Sequence, residues 1–287
     1  MAASSSRIMI RGYAKINLGL RVLRKRPDGY HDIETVLHRI HLFDEITLRP
    51  APEIRVDSTD PTAPGDPSNT CYRAAMVFKE HFGVQEGVHC RVSKRIPVGA
   101  GLGGGSSDAA SVLRALPGLW GVPAGERLLR ELALRVGADV PYFLGEGTAV
   151  AQGRGEQLQH FRFDVPYAIC VCYPNIHVST AWAYARVTAR ERTDGSLRAA
   201  VTEGMTDHAL LAEALANDFE PVVTAEYPEV AELKHAFLAR GAVAAAMSGS
   251  GSSVYGLFRD SDAAEGIARE FRAKGYRAFE TPPHFVP

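Results

Sequence analysis

Pro97-Val98-Gly99-Ala100-Gly101-Leu102-Gly103-Gly104-Gly105-Ser106-Ser107-Asp108-Ala109-Ala110 is a glycine-dense bend that runs into two hydroxyls and then into helix formers. Glycine has no Cβ, so such a bend can take left-handed turns and bring its backbone N–H groups close to an anion. The helix that follows adds unpaired N–H groups and the positive end of its dipole at the same point. A flexible glycine-serine linker would share the composition. The flanks argue against it: strand-like Val88 to Ile96 precedes the bend, and Ala109 to Leu116 continues it without a break. Strand, tight loop and helix in that order form a seat for a polyphosphate.

At 287 residues, the chain is long enough for two domains, each with its own core. Apolar residues make up 46% and charged residues 23%, an ordinary globular balance. The formal net charge is −1 and no long block of one sign occurs, which disfavours a nucleic-acid partner. Cys71, Cys90, Cys170 and Cys172 lack the C-x-x-C spacing of zinc and redox sites and read as buried thiols. No apolar run approaches the ~18 residues of a membrane span. Met1-Ala2-Ala3-Ser4-Ser5-Ser6 lacks the parts of a secretory signal, so a cytoplasmic protein without a membrane partner is expected.

Hydropathy places short strands at Ile8 to Ile10, Leu18 to Leu23, Ile33 to Leu37, Glu45 to Leu48 and Ile54 to Val56. Pro27-Asp28-Gly29 predicts a tight turn among them. Asn69 is placed as the cap of a helix reaching about His81, and further helices are expected to about Leu119 and over Gly125 to Val136. Strands follow at Gly147 to Gln152 and Phe163 to Pro174, then helices at Ser179 to Arg186, Asp207 to Ala216 and Pro228 to Arg240. The end reads strand (Ala242 to Met247), bend (Ser248 to Ser253), strand (Val254 to Phe258), helix (Ser261 to Ala273) and strand (Tyr276 to Glu280). These alternations predict an α+β protein. Gln152-Gly153-Arg154-Gly155-Glu156 breaks the pattern, and a boundary near it divides the chain into 1–155 and 156–287.

Gly99, Gly101 and Gly104 formally match the dinucleotide fingerprint G-x-G-x-x-G. That fingerprint needs an acidic residue about 20 positions on at a strand end. The turn Val122-Pro123-Ala124 stands there instead. A Walker A loop would carry lysine after its last glycine, where this chain has Ser106, so the cation must come from elsewhere. Lys15, in Tyr13-Ala14-Lys15-Ile16-Asn17-Leu18, reads either as a solvated strand residue or as that cation. Asp139, in Gly137-Ala138-Asp139-Val140-Pro141, reads either as a helix cap or as a base. With the cradle, the two would complete a phosphoryl-transfer site.

These segments together resemble the GHMP kinase superfamily. Asp28-Gly29-Tyr30-His31 close behind Ala14-Lys15-Ile16-Asn17, with Gly137 to Pro141 downstream, resembles its members that act on a cytidyl diphosphate sugar alcohol. The resemblance implies an α+β, two-domain GHMP kinase fold. Its N-terminal, ATP-binding domain would be like domain 2 of ribosomal protein S5 and its C-terminal domain ferredoxin-like. It also implies ATP as phosphoryl donor and Mg²⁺ as cofactor, with metal ligands left open. Lys15 and Asp139 become the catalytic pair, and ATP lies along Pro97 to Ser107 with Lys94 beside the adenine. Asn17, Tyr30, His31 and Tyr184 become substrate contacts, with Trp182 an alternative to Tyr184. Ser248 to Ser252 resembles the superfamily's C-terminal glycine motif that steadies the site. A monomer or homodimer is expected. Homoserine and mevalonate kinases remain the alternatives within the superfamily, and a catalytically silent nucleotide-binding protein the alternative outside enzymes.

Overall fold

The structure is a computed structural model that describes residues 7–192 and 195–287. It divides into two compact units that interleave along the chain. One comprises the chain through Ala14, Phe43–Val98 and Gly103–Glu146; the other comprises Lys15–Leu42, Gly99–Leu102 and Gly147–Pro287. A single cut near residue 155 does not reproduce them, because two long strands, β1 (Ile8–Lys25) and β2 (His31–Ala51), each contribute to both.

In the first unit, Glu45–Ala51 of β2 pairs antiparallel with β4 (Gly87–Ser93), from Glu45 opposite Ser93 to Ala51 opposite Gly87. Strand β3 (Arg55–Ser58) pairs parallel with β4, and helix α1 (Thr70–Phe82) connects the two. Helix α1 begins as the sequence predicts, with the Asn69 side chain accepting from the Cys71 N–H at 2.8 Å. Helix α2 (Gly104–Trp120) packs on α1, and on both α3 (Glu126–Val136) and α4 (Val140–Leu144). Phe78, Val88, Val112, Leu113 and Leu116 are fully buried in this unit.

The expected strand Val88 to Ile96 stops at Ser93 for an electrostatic reason. The Asp44 carboxylate accepts from the backbone N–H groups of Arg95 and Ile96, at 2.5 and 2.9 Å. Those donors are satisfied by a side chain, so the chain can leave the ladder and turn toward the glycine bend.

In the second unit, β1 and β2 meet at the predicted Pro27-Asp28-Gly29 turn. The Arg26 N–H donates to Tyr30 O at 2.7 Å, and Gly29 takes φ +87. Ile33 to Leu37 of β2 pairs antiparallel with β5 (Thr148–Gly153), which pairs with β6 (Gln157–Phe161). A four-stranded antiparallel sheet follows, containing β7 (Ala168–Tyr173), β8 (Ala244–Met247), β9 (Val254–Phe258) and β10 (Arg277–Thr281). Its order is β10-β7-β9-β8. Helices α5 (Thr180–Tyr184), α6 (Leu197–Gly204), α7 (His208–Ala214), α8 (Glu220–Glu226) and α9 (Pro228–Ala239) lie between β7 and β8 in sequence. Helix α10 (Ser261–Ala273) lies between β9 and β10. With α9 and α10 packed on the sheet, this is the split β-α-β-β-α-β arrangement of ferredoxin-like domains.

Strand β7 starts at Ala168, later than expected, because Pro166 has no N–H to give to a ladder. Cys170 and Cys172 are buried free thiols, as expected, within a core that includes Phe237, Phe258, Ile267 and Phe271. Phe237 meets Phe271 edge-on with centroids 5.1 Å apart, and Phe258 at 6.1 Å. Replacing Phe237 by Ala removes the ring that both contact. The expected loss is about 3–5 kcal/mol of unfolding free energy, read from urea unfolding; a loss below ~1 kcal/mol would show that this core is not formed around Phe237.

Candidate active site

Two groups of buried polar residues sit against the two halves of the glycine bend, one in each compact unit. In the second unit, Lys15 lies within a run of buried residues on β1 and is itself only 5% exposed, so the solvated-strand reading does not hold. Its ammonium donates to Asn17 Oδ1 at 2.6 Å and to Gly101 O at 3.0 Å. Asn17 is equally enclosed: its Nδ2 donates to Thr35 Oγ1 at 2.8 Å, and its backbone N–H donates to Ser248 Oγ at 3.2 Å. The Tyr255 hydroxyl donates to Asn17 O at 2.9 Å.

The bend's first half rests on Ser248–Ser253. Ser248 Oγ donates to Gly101 O at 3.1 Å, the Ser253 N–H donates to Ala100 O at 3.3 Å, and the Lys15 N–H donates to Leu102 O at 3.0 Å. Gly101 has φ +77, and a Cβ on it would overlap the carbonyl oxygen of Ser248. No L side chain fits that position. The asparagine of Asn217-Asp218-Phe219-Glu220 braces the bend, with Nδ2 donating to Met247 O and Gly249 O, both at 2.8 Å.

In the first unit, the bend's second half becomes the start of α2. Its cap position is Gly103, and no side chain caps the helix. The first-turn N–H groups therefore remain available to an anion. Thr70 Oγ1 donates to Gly105 O at 2.7 Å. Ser107 is buried within the first turns and Ser106 is half-buried. Pro97 is buried ahead of the bend, Val98 half-buried and Gly99 exposed.

Beneath that helix start lies a cluster only partly visible from sequence. Lys94 is buried, and its ammonium donates to Asp44 Oδ2 at 2.5 Å and to Asp108 Oδ2 at 2.8 Å. The ammonium is committed to these two carboxylates and is not solvated. Burial alone would lower it, and Asp108 and Asp44 override that and raise it. Burial pushes the Asp108 carboxyl up to about 7, against the pull of Lys94 and with the repulsion of Asp44. Its Oδ1 is buried without a partner. Asp44 was missed because it sits in a hydrophobic strand, Leu42-Phe43-Asp44-Glu45-Ile46; an aspartate interrupting such a run is the signal that could have found it.

Asp139 sits at the cap position of α4, yet its side chain makes no capping hydrogen bond. The helix-cap reading therefore does not account for it. It is half-buried, on the element that α2 packs against.

Tyr30, His31 and Tyr184 fall in the second unit. The His31 and Tyr184 rings stack directly, with centroids 5.3 Å apart and planes at 25°. Tyr184 also meets Phe219 edge-on at 4.8 Å, and Trp182 packs on Tyr227 instead. Tyr30 is 58% exposed, and the Arg154 guanidinium lies 4.9 Å from its ring centroid. Burial, helped by Lys25, lowers the His31 imidazole from its ordinary value.

The uncapped helix behind a glycine cradle and the split β-α-β-β-α-β domain define a class, the GHMP kinases. The GHMP kinases N terminal domain matches residues 69–147, and the GHMP kinases C terminal domain matches residues 197–277. The chain is 45% identical over 283 residues to a protein of Prosthecochloris aestuarii named 4-diphosphocytidyl-2-C-methyl-D-erythritol kinase, covering 97% of this chain and 98% of that one. A protein of the same name from Salinibacter ruber is 43% identical, over 94% of this chain and 96% of its own. The crystal structure of a 4-(cytidine 5'-diphospho)-2C-methyl-D-erythritol kinase aligns with a TM-score of 0.79 at 34% identity, over 96% of this chain and 98% of that one. The homoserine kinase of Cytophaga hutchinsonii shares the fold at a TM-score of 0.77 and 19% identity, over 100% and 99% of the two chains. The chain belongs to the 4-diphosphocytidyl-2-C-methyl-D-erythritol kinase family.

The buried cluster has a consequence for stability. Folded Asp108 keeps its proton up to about 7, whereas an unfolded aspartate ionises near its ordinary ~3.9. Between those values the folded state holds more protons, so this group makes stability fall as pH rises from about 4 to about 7. Asp108→Asn removes that slope while leaving an acceptor for Lys94. Its urea midpoint relative to wild type should climb from about pH 5 to about pH 7 and then level off; a difference independent of pH would refute the assignment.

Proposed function

We propose that the protein transfers the γ-phosphoryl group of ATP to the 2-hydroxyl of 4-diphosphocytidyl-2-C-methyl-D-erythritol, giving the 2-phosphate and ADP, in the non-mevalonate route to isopentenyl diphosphate. The observation that carries the reading is the cradle of Gly99–Leu102 on Ser248–Ser253, with the Lys15 ammonium on Gly101 O, in a chain so similar to enzymes of that name. The chain would work in the cytoplasm as a monomer or homodimer.

In this reading the phosphates of ATP lie along Pro97 to Ser107, on backbone N–H groups and the uncapped start of α2. Asp139 takes the proton of the substrate hydroxyl as its oxygen attacks the γ-phosphorus and the bond to the β-phosphate oxygen breaks. The Asp139 carboxylate suits that role because no capping hydrogen bond engages it. The Lys15 ammonium supplies positive charge for the transferring group, and Asn17 fixes its direction. Lys94 acts from beneath the helix start, with its charge held by Asp44 and Asp108. Tyr30, His31 and Tyr184 receive the cytosine, since stacking a base on an aromatic ring is worth roughly 1–3 kcal/mol. A His31 imidazole lowered by burial stays neutral and can hydrogen-bond to it.

Among the described residues, no group of three or more His, Cys, Asp or Glu side chains could hold a metal ion. This fits Mg²⁺ entering with the nucleotide, because that ion usually keeps several waters and takes one or two carboxylates plus phosphate oxygens. When bound, it would neutralise charge on the β and γ phosphates.

The direct test is ADP release with the cytidyl substrate, homoserine and mevalonate side by side. Turnover only with the cytidyl compound is expected, and turnover only with a base-free alcohol would overturn the reading. Asp139→Asn should cut kcat by roughly 10²–10⁴ with ATP binding unchanged. Near-normal turnover would remove Asp139 from the mechanism. Tyr30→Ala should raise KM for the cytidyl compound by about tenfold or more, leaving KM for ATP alone.

A further inference from the structure

His177 stands on the loop between β7 and α5, a segment to which neither the cradle nor the catalytic pair assigns a role. Its neighbours hold that loop from both sides. Asn175 takes a left-handed conformation, φ 63, and its Nδ2 donates to Gly275 O at 3.0 Å. Ile176 O accepts from Ser252 Oγ at 2.5 Å, and Thr180 Oγ1 and Ser250 Oγ are hydrogen-bonded at 3.0 Å. Val178 is buried in the core of this unit. The loop is therefore tied to the same Ser248–Ser253 bend that carries the first half of the cradle.

That anchoring sets the imidazole of His177 against Gly99. A Cβ on Gly99 would overlap both Nδ1 and Cε1 of the ring. Gly99 opens the cradle, is exposed, and has φ +67, so its glycine is required by backbone and neighbour together. His177 is itself exposed, and among the described residues no hydrogen bond or ion pair engages its ring. An imidazole always carries at least one N–H donor, and here that donor borders a surface of backbone amides suited to an anion.

We propose that His177 is a ligand of the nucleotide's phosphates, donating a ring N–H to a phosphate oxygen of ATP seated on Gly99 to Gly101. The inference rests on the proposed ATP site but adds a side chain to a cradle otherwise built from backbone. Because its loop is fastened to Ser250 and Ser252, the bend that supports the glycines also sets the place of this donor.

The test is calorimetric binding of a non-hydrolysable ATP analogue with Mg²⁺, and of adenosine, to wild type, His177→Ala and His177→Gln. The expected result is an analogue Kd about tenfold weaker in His177→Ala, the size of one charge-assisted hydrogen bond. His177→Gln, which keeps an N–H donor, should recover part of the loss, and adenosine should bind all three alike. In turnover, KM for ATP should rise with kcat and KM for the cytidyl substrate nearly unchanged. Equal analogue affinity in wild type and His177→Ala would overturn the inference, as would an equal loss for adenosine, which would place the ring at the nucleoside. Wild type that binds no analogue would instead overturn the ATP site itself. Matching thermal midpoints for the three proteins establish that the comparison is between folded chains.

Discussion

Backbone carbonyl oxygens, not side chains, fasten the cradle. Ala100 O, Gly101 O and Leu102 O each accept a hydrogen bond from a group outside the bend: the Ser253 N–H, the Lys15 ammonium with the Ser248 hydroxyl, and the Lys15 N–H. With the carbonyls drawn down, the bend can afford to leave N–H groups for a ligand, which a buried loop otherwise could not do without penalty. The same constraint explains why Lys15 is buried. An ammonium in a strand interior costs several kcal/mol unless paired, and two oxygen acceptors within 3.0 Å supply part of the compensation. Its hydrogen bond to Gly101 O places that charge against the cradle, where the proposed reading uses it for the transferring phosphoryl group.

The first unit solves a similar problem with a cluster. One ammonium cannot neutralise two buried carboxylates, and the two carboxylates are not equivalent. Asp44 accepts from two backbone N–H groups as well as from Lys94, three donors in all. Asp108 has Lys94 alone and an orphaned second oxygen, and burial therefore decides its state. The raised Asp108 carboxyl lowers the negative charge that Lys94 has to balance under the helix start.

These polar residues also explain what could and could not be read in the chain. Four short strands were expected where β1 and β2 run unbroken, because Lys15, Asn17, His38 and Asp44 interrupt the apolar pattern. All of them are buried and hydrogen-bonded, so hydropathy alone took core positions for strand ends. The glycine bend, the Pro27-Asp28-Gly29 turn and the Asn69 cap were legible because each rests on local backbone geometry that the residue type dictates. Strand β6 escaped notice because it is only five residues long and exposed or half-exposed throughout. The pairing of Lys94 with Asp44 spans fifty residues of chain and leaves no local trace.

Fold alone does not choose the acceptor. A homoserine kinase shares this architecture over the whole chain at 19% identity, which is a likeness of fold. What can distinguish substrates are side chains carried by elements the cradle does not need: Tyr30 and His31 at the β1–β2 turn, and Tyr184 on α5. In the proposed reading they receive a flat, polar ring. The His31 and Tyr184 rings stack on each other, Phe219 meets Tyr184 edge-on, and Tyr30 is exposed with the Arg154 guanidinium over one face of its ring. A small amino acid or hydroxy acid offers no π-face to such a surface and would leave it wet. In the proposed reading a cytosine would cover it and gain stacking energy that a sugar phosphate cannot, so discrimination would fall on the base although the chemistry falls on the sugar alcohol.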